Sequence, residues 1–332
     1  MKPRVVSGMR PTGHMHLGHL VGALGNWVPM QEQYDCFYFV ADWHALTSDF
    51  ADTSELTSYT YENVADWIGA GLDPEKSTFF VQSLVPEHAE LYVLLSMVVP
   101  VPWLERVPTY KEQQENLSDK DLSSIGFLGY PLLQTADVAM YDAKLVPVGE
   151  DQVAHLELGR EVVRRFNNYF GEVLTEPQPL LTKEFARLPG LDGGKKMSKS
   201  VGNTISLSDS AEDVVKKVRS MYTDPKRVRA DIPGTVEGNP VFTYHDAFNS
   251  NKEEVDDLKT RYRAGKVGDV EVKMKLAAAL NAYLDPIRER RAAVLSKPDR
   301  LKEILVEGSK RARTTAMQTM ERVRDAMKIS YK

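Results

Sequence analysis

The sequence predicts an α/β fold: a doubly wound parallel sheet followed by a mostly α-helical C-terminal region. Three observations carry this. Short apolar runs alternate with segments of helical period through the first half of the chain, the pattern of repeated β-α-β units. The runs are apolar at nearly every position rather than every second one, as suits parallel strands covered on both faces. Beyond Ser206 no such run recurs, and the pattern stays helical to the end.

In order along the chain, residues 3–8 read as a first strand ending at Gly8, and residues 9–16, with Pro11 and Gly13, as irregular. From Leu17 the apolar positions Leu17, Leu20, Val21, Leu24 and Val28 follow helical spacing. Residues 36–41 form a buried strand closed by Asp42, 52–69 a helix, and 78–82 another buried strand. Sheets of this kind bind ligands beyond the carboxyl ends of their strands, where residues 8–13 and 42–44 would lie. Residues 84–170 are mostly helical, with 145–148 as a returning strand and 153–166 as a helix. Residues 177–203, rich in Pro, Gly and Lys, read as a loop. The last helix places Ile304, Leu305, Ala312, Ala316, Met320, Val323 and Met327 on one stripe, a packing face.

The 332 residues suffice for about two domains and a large core. Apolar residues make up 42% and charged residues 27%, which excludes disordered, collagen-like and coiled-coil chains. With Cys36 as its only cysteine the chain has no internal disulfide and no cysteine-only zinc or iron–sulfur site. Against 47 Asp and Glu stand 42 Lys and Arg, a net charge of −5, unlike a protein that coats nucleic acid nonspecifically. A local basic surface remains open. Residues 281–332 hold 13 basic and 7 acidic side chains, and Lys216, Lys217, Arg219, Lys226, Arg227 and Arg229 cluster upstream. The N-terminus lacks a signal-peptide core, and the longest uncharged apolar stretch, 91–104, has 14 residues with two prolines. A bilayer needs about 20, so the expectation is a cytoplasmic chain with no membrane partner.

Two motifs carry chemistry. Residues 11–20, Pro-Thr-Gly-His-Met-His-Leu-Gly-His-Leu, sit between a strand and a helix. A glycine at a helix start permits close approach of a base or phosphate, the helix dipole favours anions, and histidines can hydrogen-bond phosphate oxygens. The pattern alone is equally that of a solvated loop, and it lacks acidic or cysteine partners at metal-ligand spacing. The second motif, Lys196-Met197-Ser198-Lys199-Ser200, follows Asp192-Gly193-Gly194-Lys195. A glycine-rich loop with three lysines can fold over a polyphosphate and neutralise a departing pyrophosphate, though lysine clusters are most often solvated charge runs. The chain has neither a Walker-type loop nor a strand-borne GxGxxG.

Together, His16-Leu17-Gly18-His19 and residues 196–200 resemble the paired signatures of class I aminoacyl-tRNA synthetases. A further resemblance narrows the branch: Tyr130-Pro131-Leu132-Leu133-Gln134-Thr135-Ala136-Asp137, then Val146-Pro147-Val148-Gly149-Glu150-Asp151-Gln152, His155, Glu157, Arg160 and Arg165-Phe166-Asn167. These are similar to the tryptophanyl-tRNA synthetase family, along nearly the whole chain. The resemblance implies a Rossmann-like catalytic domain over 1–203, with a helical insertion at about 84–140, and a helical anticodon-binding domain over 204–332. It implies attack of the tryptophan carboxylate on the α-phosphate of ATP, then acyl transfer to tRNA(Trp), in a homodimer with Mg²⁺ arriving on ATP.

By the same resemblance, His16, His19, Lys196, Ser198 and Lys199 are the catalytic set. Arg10, Pro11, Thr12, Gly18, His19, Gly149, Glu150, Asp151, Leu188, Lys196, Met197, Ser198, Lys199 and Ser200 would hold ATP. Asp137 would accept the donor-only indole N–H, so that phenylalanine leaves a polar group unpaired. Val6, His44, Val146 and Val148 would wall the pocket, with Gln134 against the indole, and Tyr130 and Gln152 would bind the ammonium and carboxylate. Two departures stand out: Arg10 where many members carry glutamine, and Gln134 where many carry methionine. Gln134 with Asp137 could also read a phenol, which keeps a tyrosine-specific enzyme as the alternative. A nucleotidyltransferase sharing the HxGH element and a catalytically silent RNA- or protein-binding relative are further alternatives. Some relatives hold an iron–sulfur cluster in the C-terminal domain; a chain with one cysteine cannot.

Overall fold

The computed structural model describes residues 2–107, 122–149, 153–181, 188–194, 197 and 201–331. Strands β1 (Arg4–Met9), β2 (Asp35–Val40), β3 (Ser77–Val81), β4 (Leu145–Val148) and β5 (Gln178–Leu181) form one parallel sheet in the order β3-β2-β1-β4-β5. The helices between them are α1 (Leu17–His19), α2 (Gly25–Gln33), α3 (Asp42–Asp49), α4 (Leu56–Ala70), α5 (Glu87–Ser96), α6 (Val101–Glu105), α7 (Ile125–Ala139) and α8 (Val153–Phe170). After β5 come α9 (Ala211–Arg219), α10 (Pro240–Phe248), α11 (Lys252–Arg263), α12 (Asp269–Leu295) and α13 (Pro298–Ala326).

The four strands expected from apolar runs are present within a residue or so. The helix expected over 52–69 begins at Leu56, and α3 follows β2 where no helix was expected. Two further local features differ. The helix expected from Leu17 is three pieces, with a π-helical turn at Leu20–Leu24 between α1 and α2. The 177–203 segment, read as a loop, contributes edge strand β5. Its Pro179 conceals it in the sequence, but an edge strand can present a missing N–H to the outside.

Alternate side chains of the strands feed two cores, one on each face of the sheet. Val5, Cys36, Tyr38, Val40 and Phe79 enter one, with α1, α2, α4 and the helices around α12. Val6, Phe37, Phe39, Phe80, Val146 and Val148 enter the other, with α5, α7 and α8. Helix α13 bridges the two: Leu301 and Leu305 join the first core, while Ala312, Ala316, Met320 and Val323 join the second. It does so by lying along edge strand β3. Gly308 meets the Phe79 carbonyl so closely that an added Cβ would come within 1.8 Å of the oxygen. At the next position, Ser309 Oγ accepts the Val81 N–H at 3.2 Å. The packing stripe of the last helix therefore seals an edge that would otherwise be open. Helix α12 packs on α4, where Arg291 Nε donates to Asp66 at 2.7 Å and Arg291 also pairs with Glu62. Among the described residues, no helix is long and apolar enough to cross a membrane.

Candidate active site

The sheet reverses its winding between β1 and β4, and there the ladder is shortest. Pairing is confined to Val5 and Leu145. Beyond that pair the strands part, and Pro147 has no N–H with which to extend a ladder. A cavity of about 360 Å³ occupies the gap. Its walls come from β1 (Val6, Ser7, Gly8) and Arg10, from β2 and α3 (Phe39, Ala41, His44, Thr47), from α7 (Tyr130, Gln134, Asp137, Val138), and from β4 and α8 (Val146, Pro147, Val148, His155). Gly8 is required here, because a Cβ would lie 2.3 Å from the Phe39 ring. A hollow that sets apolar walls against convergent polar groups, at the switch point of a doubly wound sheet, is where a small ligand is expected.

At its foot lies Asp137, 1% exposed on α7. Gln82 Nε2 donates to its two oxygens at 2.8 and 3.0 Å, His44 Nε2 donates at 2.8 Å, and His88 Nδ1 donates at 2.6 Å. Burial alone would raise the carboxyl pKa. The hydrogen bonds from His44 and His88 outweigh burial and hold it at about 2. The site therefore keeps a buried carboxylate ionised. Behind it, the His88 ring reaches the Tyr141 hydroxyl through Nε2 at 2.6 Å. With Nδ1–H committed to the carboxylate, Nε2 of the neutral ring accepts the phenol proton. Burial pushes the Tyr141 hydroxyl well above its usual range, so it remains a donor. At the neighbouring strand ends Asp42 accepts the backbone N–H groups of Trp43 and Ser83, each at 3.0 Å, tying β2 to β3.

The histidine motif opens the first helix. His16 caps α1, accepting the Gly18 N–H on Nδ1 at 3.1 Å, while His19 Nδ1 accepts the His16 N–H at 3.2 Å. Both Nδ1 atoms are thus acceptors, which leaves Nε2 as the donor of each neutral ring. The ring centroids lie 3.9 Å apart. The segment after the lysine loop is stitched to this motif: Leu17 N–H donates to Ile205 O at 3.0 Å and Leu207 N–H to Met15 O at 2.9 Å. Met197 is buried against the same place, its sulfur 3.3 Å from where a Cβ on Gly18 would stand. Met197 and Gly18, about 180 residues apart in sequence, thus meet.

Of the residues singled out in the sequence, Val6, Arg10, His44, Tyr130, Gln134, Asp137, Val146 and Val148 share the cavity. Arg10 also reaches Ser48 Oγ at 3.5 Å. Pro11 and Thr12 line an adjoining hollow with Asp49, Asp52 and Tyr59. Gly149 directly follows β4. Leu188 packs with Leu191 and Met197 in the first core. Glu150, Asp151, Gln152, Lys196, Ser198, Lys199 and Ser200 lie outside the described residues. Sequence reading missed Gln82, His88 and Tyr141, the shell behind Asp137. The one available signal was a glutamine ending the apolar run of β3. Arg227, grouped with the basic surface, is buried instead: it donates to the carbonyls of Ile232, Ala230 and Val267 and stacks on Tyr262 at 3.9 Å. Among the described residues no group of three or more His, Cys, Asp or Glu is placed to hold a metal.

Comparison with known proteins agrees with this geometry. The family described as tRNA synthetases class I (W and Y) matches residues 1–285. The tryptophan–tRNA ligase of Treponema pallidum is 51% identical, covering 98% of this chain and 97% of its own. That of Thermotoga maritima is 49% identical, covering 99% and 100%. Among solved structures, the tryptophanyl-tRNA synthetase of Campylobacter jejuni complexed with ADP and tryptophan superposes with a TM-score of 0.89 at 35% identity, covering 98% of this chain and 99% of that one.

Proposed function

The chain belongs to the class I tRNA synthetases of the tryptophan and tyrosine branch, and from that premise we infer that it activates L-tryptophan with ATP and charges tRNA(Trp). The observation that carries the choice of amino acid is the ionised carboxylate of Asp137 at the foot of a cavity walled in part by apolar side chains. An indole has one polar atom, a donor, and an acceptor is what it needs. Val6, Phe39, Val146 and Val148 supply the apolar walls. Tyr130 and Gln152 orient the amino and carboxylate ends toward the nucleotide.

The tryptophan carboxylate attacks the α-phosphate, the bond to the β-phosphate breaks, and pyrophosphate leaves. Binding and charge stabilisation supply the rate, with no covalent enzyme nucleophile. His16 and His19 donate through Nε2 to phosphate oxygens beside the amides opening α1. Arg10, Pro11, Thr12, Gly18, Gly149, Glu150, Asp151 and the Leu188 backbone hold the nucleotide. Lys196, Ser198, Lys199 and Ser200, with Met197 anchoring their loop on Gly18, clamp the departing pyrophosphate. Mg²⁺ enters with ATP as part of the substrate. The helical region over 204–332 receives the anticodon arm, its basic side chains meeting phosphates and its loops the unstacked bases. The enzyme works as a homodimer in the cytoplasm. Val93, Met97, Val101 and Ile125, all solvent-exposed on or directly beside α5, α6 and α7, offer apolar side chains for contact with a second copy.

The test is amino-acid-dependent ATP–pyrophosphate exchange, run separately with tryptophan and tyrosine. Exchange with tryptophan is expected. The amide of Gln134 in the cavity wall is the feature that favours tyrosine, and exchange with tyrosine alone would assign the chain to that branch. No exchange with either would make it a silent binder.

A further inference from the structure

Asp137 is not an isolated acceptor. Its carboxylate is the front member of a buried row, Asp137–His88–Tyr141, of which only Asp137 lines the cavity. The His88 side chain is fully buried and the Tyr141 ring is enclosed by Phe37, Phe80 and His88 itself. Neither can touch a ligand. Their hydrogen bonds nonetheless have one direction: the Tyr141 hydroxyl donates to His88 Nε2, which fixes the ring proton on Nδ1, and Nδ1–H donates to Asp137 Oδ1. Gln82 and His44 take further lone pairs. A carboxylate offers about four such sites and these three donors make four contacts, so an indole N–H must share or displace one of them; His44 is the donor that also lines the cavity.

We propose that His88 and Tyr141 are positioning residues for amino-acid selection, acting through Asp137 to hold its carboxylate in the orientation in which it faces the cavity and accepts the indole N–H. This rests on the tryptophan reading of the cavity. Without the His88 donor, Oδ1 loses its shortest hydrogen bond and the carboxylate is free to turn. Without the Tyr141 hydroxyl, the His88 proton is no longer held on Nδ1.

The experiment uses the full-length enzyme in ATP–pyrophosphate exchange, with wild type, Tyr141→Phe, His88→Asn and His88→Leu. Each is assayed with L-tryptophan and with β-(benzothiophen-3-yl)-L-alanine, which replaces the N–H by sulfur, as substrate or as competitor. His88→Leu is expected to weaken tryptophan relative to the analogue by about ten-fold, with the ATP KM unchanged. Tyr141→Phe shifts the same ratio in the same direction by less. His88→Asn, whose amide nitrogen can stand in for Nδ1, recovers most of the loss. A purely structural role would weaken both ligands equally, and that result overturns the proposal, as does an Asn variant no better than Leu. Should His88→Leu fail to fold, an unchanged ratio in Tyr141→Phe overturns it instead. Wild-type exchange with tyrosine alone would sink the substrate reading and this proposal together, whereas wild-type exchange with tryptophan and unmoved ratios would sink only the proposal.

Discussion

Asp137 combines two conditions that usually exclude one another, near-complete burial and a pKa held at about 2. Its folded value lies below the 3.8 of an ordinary aspartate, so its charge contributes stability that is complete above about 4 and is lost as pH falls toward 2. Asp137→Asn should therefore be less stable than wild type at neutral pH and lose less between pH 4 and pH 2, as read by urea unfolding across that range. The same variant should raise the tryptophan KM about 30-fold, the ~2 kcal/mol of a hydrogen bond to a charged group, and leave the ATP KM unchanged. Equal losses for both substrates would remove Asp137 from indole recognition. At this scale the sequence was legible where residues act within a local motif, as at His16, Gly18 and His19. Gln82 and His88 were not, because they reach Asp137 across 55 and 49 positions and only through folding.

Among the elements, α13 shows how a helix read as a packing face takes part in the sheet's integrity. Gly308 permits helix and strand backbones to touch, and Ser309 satisfies a donor on β3. Ion pairs extend the contact: Arg313 to Glu87 on α5, Arg324 to Glu90, and Arg322 to Asp142 after α7. Glu87 is buried, but the other two pairs are half-exposed and add little singly. Gly308→Ala should push α13 off β3 at a cost of about 3 kcal/mol, the upper end of ordinary overpacking. The expected readout is a markedly lower thermal unfolding midpoint; an unchanged midpoint would mean the helix does not seal the edge. Strands β1 to β4 were legible because apolar runs report burial on both faces. Strand β5 is half-exposed at the edge, four residues long and interrupted by Pro179, so its composition is that of a loop.

For the whole molecule, the net charge of −5 averages an α/β body with a C-terminal end that carries an excess of basic residues. Part of that excess is spent internally: Arg227 staples a loop, and Arg291 joins α12 to α4. The exposed apolar side chains of α5–α7 include Met97, 70% exposed, and Ile125, 82% exposed. A charge placed among them should split the proposed dimer. Met97→Glu is expected to elute at monomer size in light-scattering chromatography where wild type elutes as a dimer, and to lose tRNA charging. A wild type already monomeric, or a variant still dimeric, would remove this face from the assembly.

The sequence by itself determined the fold class, the order of its first four strands, and the two signature motifs. Each of these is written in local period or in contiguous residues. Only the tertiary structure decided that the ladder between β1 and β4 stops after one pair and so opens the cavity, that Met197 packs against Gly18, and that Asp137 stays charged with His44, Gln82 and His88 around it. Those outcomes depend on contacts between residues far apart in sequence, and a carboxylate's charge in a dry site depends on every donor that folding brings to it.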